Sequence, residues 1–82
     1  MFEGTIQRLD MENRRAIVED AEGREIVVRF AERANVEVVE PETVGLMGGE
    51  LEDLAEGYLV QLDLGNQNEE GVFTCDSVTC LS

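Results

Sequence analysis

The chain contains no histidine and no lysine, one proline, two cysteines and no long apolar run. Without histidine there is no ordinary general base near neutral pH, and no triad can be assembled around Ser77 or Thr79. Without lysine, Gly45, Gly48 and Gly49 lack the Lys-Ser or Lys-Thr pair that a Walker loop needs to hold phosphate. Zinc is disfavoured because Cys75 and Cys80 do not form a Cys-x-x-Cys pair and have no histidine to join them. A thiol enzyme would lack its histidine partner, and acidic surroundings raise thiol pKa values. Neither catalysis nor a cofactor is expected.

The two cysteines lie five apart in a run that reads as one strand, which places them on opposite faces, about 16 Å apart at strand rise. They cannot bridge each other without a sharp bend, so they read as reduced, partly buried thiols of the kind a cytoplasmic protein tolerates. No apolar run approaches the length of a membrane span. The β-pattern begins at Phe2, with no basic region followed by an apolar one, so no signal peptide is expected and the chain is assigned to the cytoplasm.

What is present is acid. Nineteen Asp and Glu stand against six cations, all arginine, for a formal net charge of −13 at pH 7. Such a chain repels phosphate backbones and anionic membranes, and it favours basic partners, metal ions or simple solubility. The apolar fraction of 43% is near the globular norm, so the charge does not imply disorder. Eighty-two residues make one domain, because a chain this short cannot divide its buried surface between two cores.

The most informative stretch is Arg14 to Phe30. Asp20 opens a type I turn, Ala21 and Glu22 fill its centre, and Gly23 takes the left-handed position that closes a three-residue hairpin loop. That turn fixes the register. Val18 pairs with Ile26, Ala16 with Val28 and Arg14 with Phe30 on the core face, whereas Ile17 with Val27, Glu19 with Glu25 and Arg15 with Arg29 form the solvent face.

Upstream, Phe2 to Leu9 alternate as a first strand, in which Gly4 marks strong coiling. Leu9 breaks the alternation, and Asp10 to Asn13 form a polar turn. Downstream, Ala31 to Asn35 read as a turn and Val36 to Glu40 as a strand stopped by Pro41. Thr43 to Gly49 read as a glycine-rich loop. Glu50 to Glu56 can form one or two helical turns that bury Leu51, Leu54 and Ala55, with Gly57 as the stop. Tyr58 to Leu64 alternate with Tyr58, Val60, Leu62 and Leu64 inward, and Gly65 to Gly71 form a hairpin loop. Val72 to Leu81 make a last strand with neither face cleanly apolar, where a bulge near Asp76 would turn Phe73 and Val78 both inward.

This is an all-β chain of five or six short antiparallel strands, with one short helical turn before the penultimate strand. A small closed barrel buries such a core and leaves no long edge. The arrangement resembles the OB-fold, with an SH3-like barrel as the nearest alternative. A narrower resemblance runs through Gly4-Thr5-Ile6, the Val18-Glu19-Asp20 hairpin closed by Gly23, the run Leu51, Asp53, Leu54, Gly57, Val60 and Leu62, and Gly71 before the final strand. That signature is similar to uncharacterised bacterial OB-like domains. It implies the fold and no activity.

Binding of nucleic acid by an OB domain needs aromatic platforms and a basic groove. Phe2, Phe30, Tyr58 and Phe73 all fall on core faces, which leaves only Arg14, Arg15, Arg24 and Arg29 as a local basic stripe. Arg15 and Arg29 lie side by side, where they could contact an anion or pair with neighbouring carboxylates. Asp10 with Glu12, and Glu50, Glu52, Asp53 and Glu56, lack the spacing of a calcium loop. The remaining candidate is an interaction surface, the apolar pair Ile17 and Val27 rimmed by Arg15 and Arg29 on one side and by Glu19 and Glu25 on the other. The expected function is a non-catalytic protein-interaction module, working through a protein partner or self-association on this face or at Gly45 to Gly49. The alternative is OB-type binding of an oligonucleotide.

Overall fold

In the computed structural model, which describes residues 1–40, 42–43 and 45–82, six strands follow one another. They are β1 (Phe2–Asp10), β2 (Arg15–Glu19), β3 (Glu25–Val39), β4 (Leu46–Gly49), β5 (Leu59–Gln67) and β6 (Val72–Cys80), with a single 3-10 turn at Leu51–Asp53 before β5. The Asp20 turn sets the β2–β3 hairpin as its residues dictate. The Gly23 N–H donates to the Asp20 carbonyl at 3.1 Å and the Asp20 N–H to the Arg24 carbonyl at 2.9 Å. Gly23 sits at φ +83°, the region where a Cβ is disfavoured. The Asp20 carboxylate accepts from the N–H groups of Glu22 and Arg24 at 2.9 Å each. The resulting register pairs Arg15 with Arg29, Ala16 with Val28, Ile17 with Val27, Val18 with Ile26 and Glu19 with Glu25.

The strands β1, β2 and β3 form a meander, and the chain returns after the 3-10 turn to lay β5 beside β1, which is the Greek-key order. A hairpin then brings β6 back against β5, and β6 closes the ring by pairing with β3. The last contact is parallel, although an all-antiparallel barrel was expected. Alternating up and down strands cannot close a ring of five, so one neighbouring pair must run the same way. The product is a small closed OB-like barrel, with β4 as a sixth strand held only by the end of β3. Ile6, Val18, Val28, Phe30, Val60, Leu62, Cys75 and Val78 fill its interior, none more than 2% exposed.

Gly4 is where β1 passes from one neighbour to the other. It pairs with Val60 of β5, while the adjacent Thr5 pairs with both Leu59 and Glu19. A Cβ at Gly4 would lie 2.4 Å from the Glu19 carbonyl oxygen, so only glycine permits this approach. Just beyond, the register slips between Ile6 and Arg8, which accounts for the broken alternation at Leu9.

Several expectations are corrected. Ala31 to Asn35 form no turn, because β3 runs unbroken through them. The polar composition marks an exposed bend inside a long strand, where pairing to β6 jumps from Phe30 with Cys75 to Asn35 with Ser77. Arg14, at φ +55°, caps that bend by donating its guanidinium N–H groups to the carbonyls of Phe30 and Ala31. Within the expected glycine-rich loop, Leu46 to Gly49 are strand β4; its Val44, and the strand stop expected at Pro41, lie outside the described residues. The helix expected over Glu50 to Glu56 shrinks to the 3-10 turn. Beyond it the Gly57 N–H donates to the Ile6 carbonyl at 2.8 Å and the Tyr58 carbonyl accepts from Ile6 at 2.9 Å, drawing the chain straight. Gly57, at φ +92°, also breaks the alternation there, so Tyr58 is 39% exposed instead of facing the core. Strand β5 extends to Gln67, shortening the expected Gly65 to Gly71 loop. The Asn68 side chain closes what remains by accepting from the N–H groups of Glu70 and Val72.

The β6 bulge falls at Asp76, as its mixed faces required. It also overturns the placement of the cysteines. With one residue bulged, Cys75 and Cys80 face the same way, and both are buried as free thiols.

Candidate interaction site on the hairpin face

Three strands build the site. Because turn chemistry fixes the β2–β3 register, Ile17 and Val27 stand opposite each other on the outer face, half-buried, and Arg15 and Arg29 stand opposite each other one row along, both exposed. Strand β1 supplies the third column. The slip after Ile6 brings Arg8 opposite Ile17 and Asp10 opposite Arg15. The outer face is therefore a grid of three rows: Asp10, Arg15 and Arg29; then Arg8, Ile17 and Val27; then Thr5, Glu19 and Glu25. A shallow depression of about 290 Å³ lies over the upper two rows, lined by Arg8, Asp10, Arg15, Ala16, Ile17 and Val27.

The four residues singled out in the sequence, Arg15, Ile17, Val27 and Arg29, are thus brought together. Arg8 joins them without having been foreseen. Its signal was the broken alternation at Leu9, which is what a strand looks like once an inserted residue has turned its outer face over. The other two members of the expected basic stripe lie elsewhere. Arg14 is occupied with the backbone of β3, and Arg24 pairs with Asp20 at 3.1 Å and with Glu22 at 3.7 Å.

Those two contacts are the only ion pairs among the described residues. The expected pairing of Arg15 and Arg29 with neighbouring carboxylates does not occur within 4 Å. Instead Arg15 faces Arg29 and Glu19 faces Glu25, two like-charge pairs directly across the ladder, an arrangement that is locally unfavourable. Asp10 is held below its ordinary pKa mainly by the hydrogen bond from the Asn13 side chain, with Arg15 the smallest contributor. Its carboxylate closes the β1–β2 turn by accepting from Asn13 Nδ2 at 2.8 Å and from the Asn13 N–H at 3.2 Å.

No aromatic side chain occupies this grid. Phe30 is buried, Phe2 and Phe73 pack against the core, and Tyr58 lies near the far end of β4 among the residues that line another depression with Met47 and Val38. Both thiols are shifted toward their protonated form. Burial pushes Cys75 up to about 11, the nearby Asp76 and Asp63 add to the rise, and burial also raises Cys80. The Cys75 thiol donates to the Ser77 carbonyl at 3.2 Å. Among the described residues no three His, Cys, Asp or Glu side chains stand close enough together to hold a metal ion. No helix among them is long and apolar enough to cross a membrane. No protein-family model matches the chain, and no match is found among curated proteins or among solved structures.

Proposed function

We propose that this chain is a non-catalytic protein-interaction module whose docking face is the outer surface of β1, β2 and β3. One observation carries the reading. Ile17 and Val27 form an apolar centre, half-exposed, inside a ring of charges of which Arg8, Arg15, Arg29, Glu19 and Glu25 have no ion-pair partner among the described residues. An apolar centre with a charged rim is how modest protein contacts are built, and unpaired rim charges keep their capacity to pair across an interface. The test uses the full chain immobilised as bait. Saturable capture of a protein partner at physiological salt should be lost with Ile17→Asp and weakened with Arg29→Glu, both with unchanged far-UV circular dichroism. Capture indifferent to both substitutions refutes the reading.

A second reading has an observation of its own. Arg15 and Arg29 lie on the strand 2 and 3 face that OB-fold proteins use for oligonucleotides, with Arg8 of β1 beside them. The absence of stacking aromatics from the grid and the acidity of the rest of the chain weigh against it. Fluorescence anisotropy with a single-stranded oligonucleotide, titrated with salt, separates the two readings. Tight, strongly salt-dependent binding lost on Arg15→Glu with Arg29→Glu would make nucleic acid the ligand.

A further inference from the structure

The charges on the hairpin are spaced evenly about its apolar centre and are opposite in sign on its two sides. On β2, Arg15 and Glu19 stand two residues either side of Ile17; on β3, Glu25 and Arg29 stand two residues either side of Val27. All six side chains share the outer face, and the charged ones lie about 6.6 Å from the apolar row. We infer that the occupant of this face is a second copy of the same chain, docked face to face about a two-fold axis that runs along the Ile17–Val27 row. This rests on the reading of the face as a docking surface and names its partner.

The geometry follows from the register. Rotation about that axis leaves the apolar row on itself, so Ile17 meets Ile17 and Val27 meets Val27 of the other copy. It exchanges the basic row for the acidic one, so Arg15 comes over Glu19, and Arg29 over Glu25, of the other copy. Each charge contact occurs twice, as a two-fold interface requires, and each on-axis apolar contact once. In the lone chain the same four residues form two like-charge cross-strand pairs. A second copy turns both unfavourable pairs into attractions, and no other orientation of the face on itself does so. Sheets packed face to face cross at about 30°, which long arginine side chains accommodate. Arg8 ends the apolar row and faces its own copy, the one like-charge contact of the arrangement.

Short stretches of three strands, Thr5 to Asp10 of β1, β2 and Glu25 to Arg29 of β3, make a small contact, and each chain carries a net charge of −13. The association is therefore weak and transient. Sedimentation velocity of the full chain between about 10 µM and 1 mM reads it directly. Arg15→Glu with Arg29→Glu makes the four rim charges all acidic, and Glu19→Arg with Glu25→Arg makes them all basic. Each double variant alone should remain monomeric. Their equimolar mixture should form a heterodimer at least as tight as the wild-type homodimer, because it makes the same four opposite-charge contacts and its summed charge equals that of two wild-type chains. All four reversals in one chain restore the pattern with opposite polarity and should restore self-association. Arg8→Gln should tighten the wild-type dimer by about threefold. A measurement needing no variant is the concentration dependence of the Ile17 and Val27 methyl resonances, which should shift with the same midpoint.

A wild-type chain monomeric at about 1 mM, a mixture of the two variants that stays monomeric, or self-association that survives either double reversal overturns the inference. Its failure is separable from that of the wider reading. If the wild type is monomeric while Ile17→Asp still abolishes capture of another protein, the second copy is eliminated and the docking face stands. If Ile17→Asp changes neither capture nor sedimentation, the face itself is eliminated.

Discussion

Replacing Gly4 with alanine tests the close crossing of β1 over the end of β2. An added Cβ would sit 2.4 Å from the Glu19 carbonyl oxygen, 2.9 Å from its carbon and 2.9 Å from Val18 Cγ1. Ordinary contact needs about 1 Å more, and two of the three atoms are backbone. Strand β1 cannot slide away, because Gly4 is paired to Val60 on its other side and Thr5 is paired on both. Forced overpacking of this kind costs about 1–3 kcal/mol, and here the upper half of that range applies because the obstruction is a carbonyl and not a flexible side chain. The smaller unfolded-state entropy of alanine offsets about 0.4–1 kcal/mol. A net loss of about 2 kcal/mol is a large share of the roughly 4–12 kcal/mol expected for a chain of this length, and it lowers Tm by about 8–16 °C. Urea unfolding followed by far-UV circular dichroism measures the loss. Gly48→Ala is the control, since nothing lies within 4 Å of a Cβ there and its φ is not positive. It should be neutral or slightly stabilising. Gly4→Ala within about 0.5 kcal/mol of wild type would refute the crossing, and with it the placement of β1 between β2 and β5.

Three further outcomes are expected. Asp20 is held below its ordinary pKa of 3.8, chiefly by the hydrogen bond from the Arg24 N–H, so its contribution to stability is present above that pH and is lost as the pH falls through the depressed value. The Tm gap between wild type and Asp20→Ala should therefore be widest near neutral pH and narrow in acid, as calorimetry at pH 7 and below 3.8 will read. Cys75 is displaced the other way, from 9.0 to about 11. Its contribution is fully present below 9.0 and lost as the pH rises toward 11, so the urea midpoint should fall across that window and less so in Cys75→Ser, while a thiol reagent at pH 8 should modify the cysteines only as fast as the fold opens. Arg14→Ala leaves the carbonyls of Phe30 and Ala31 without their donors and should cost about 1–2 kcal/mol in the same urea assay, with Arg14→Lys recovering only part because one ammonium cannot span both.

The proposed interaction face was legible in the sequence to the extent that local chemistry dictates it. Asp20 and Gly23 specify the turn, the turn specifies the register, and the register places Arg15 beside Arg29 and Ile17 beside Val27. Arg8 was not legible, because its orientation depends on a one-residue slip that only pairing with β2 reveals. Arg14 and Arg24 were misassigned for a related reason. Their charge is written in the sequence, but the groups they bond to are set by the path of β3 and by the turn.

Period-two hydrophobicity and turn residues are local properties, and they alone determined an all-β chain, the β2–β3 register, the inward set Val18, Val28, Val60 and Leu62, and the need for a bulge in the last strand. Which strands became neighbours was decided only by closure. The parallel β3–β6 contact, the unbroken β3, the recruitment of Leu46 to Gly49 as an edge strand, the exposure of Tyr58 and the common facing of the two cysteines all depend on partners remote in sequence. A pattern within one segment states which side of a strand avoids water. It cannot state what lies across from it, because that is fixed by the requirement that every strand of a small ring find two neighbours at once.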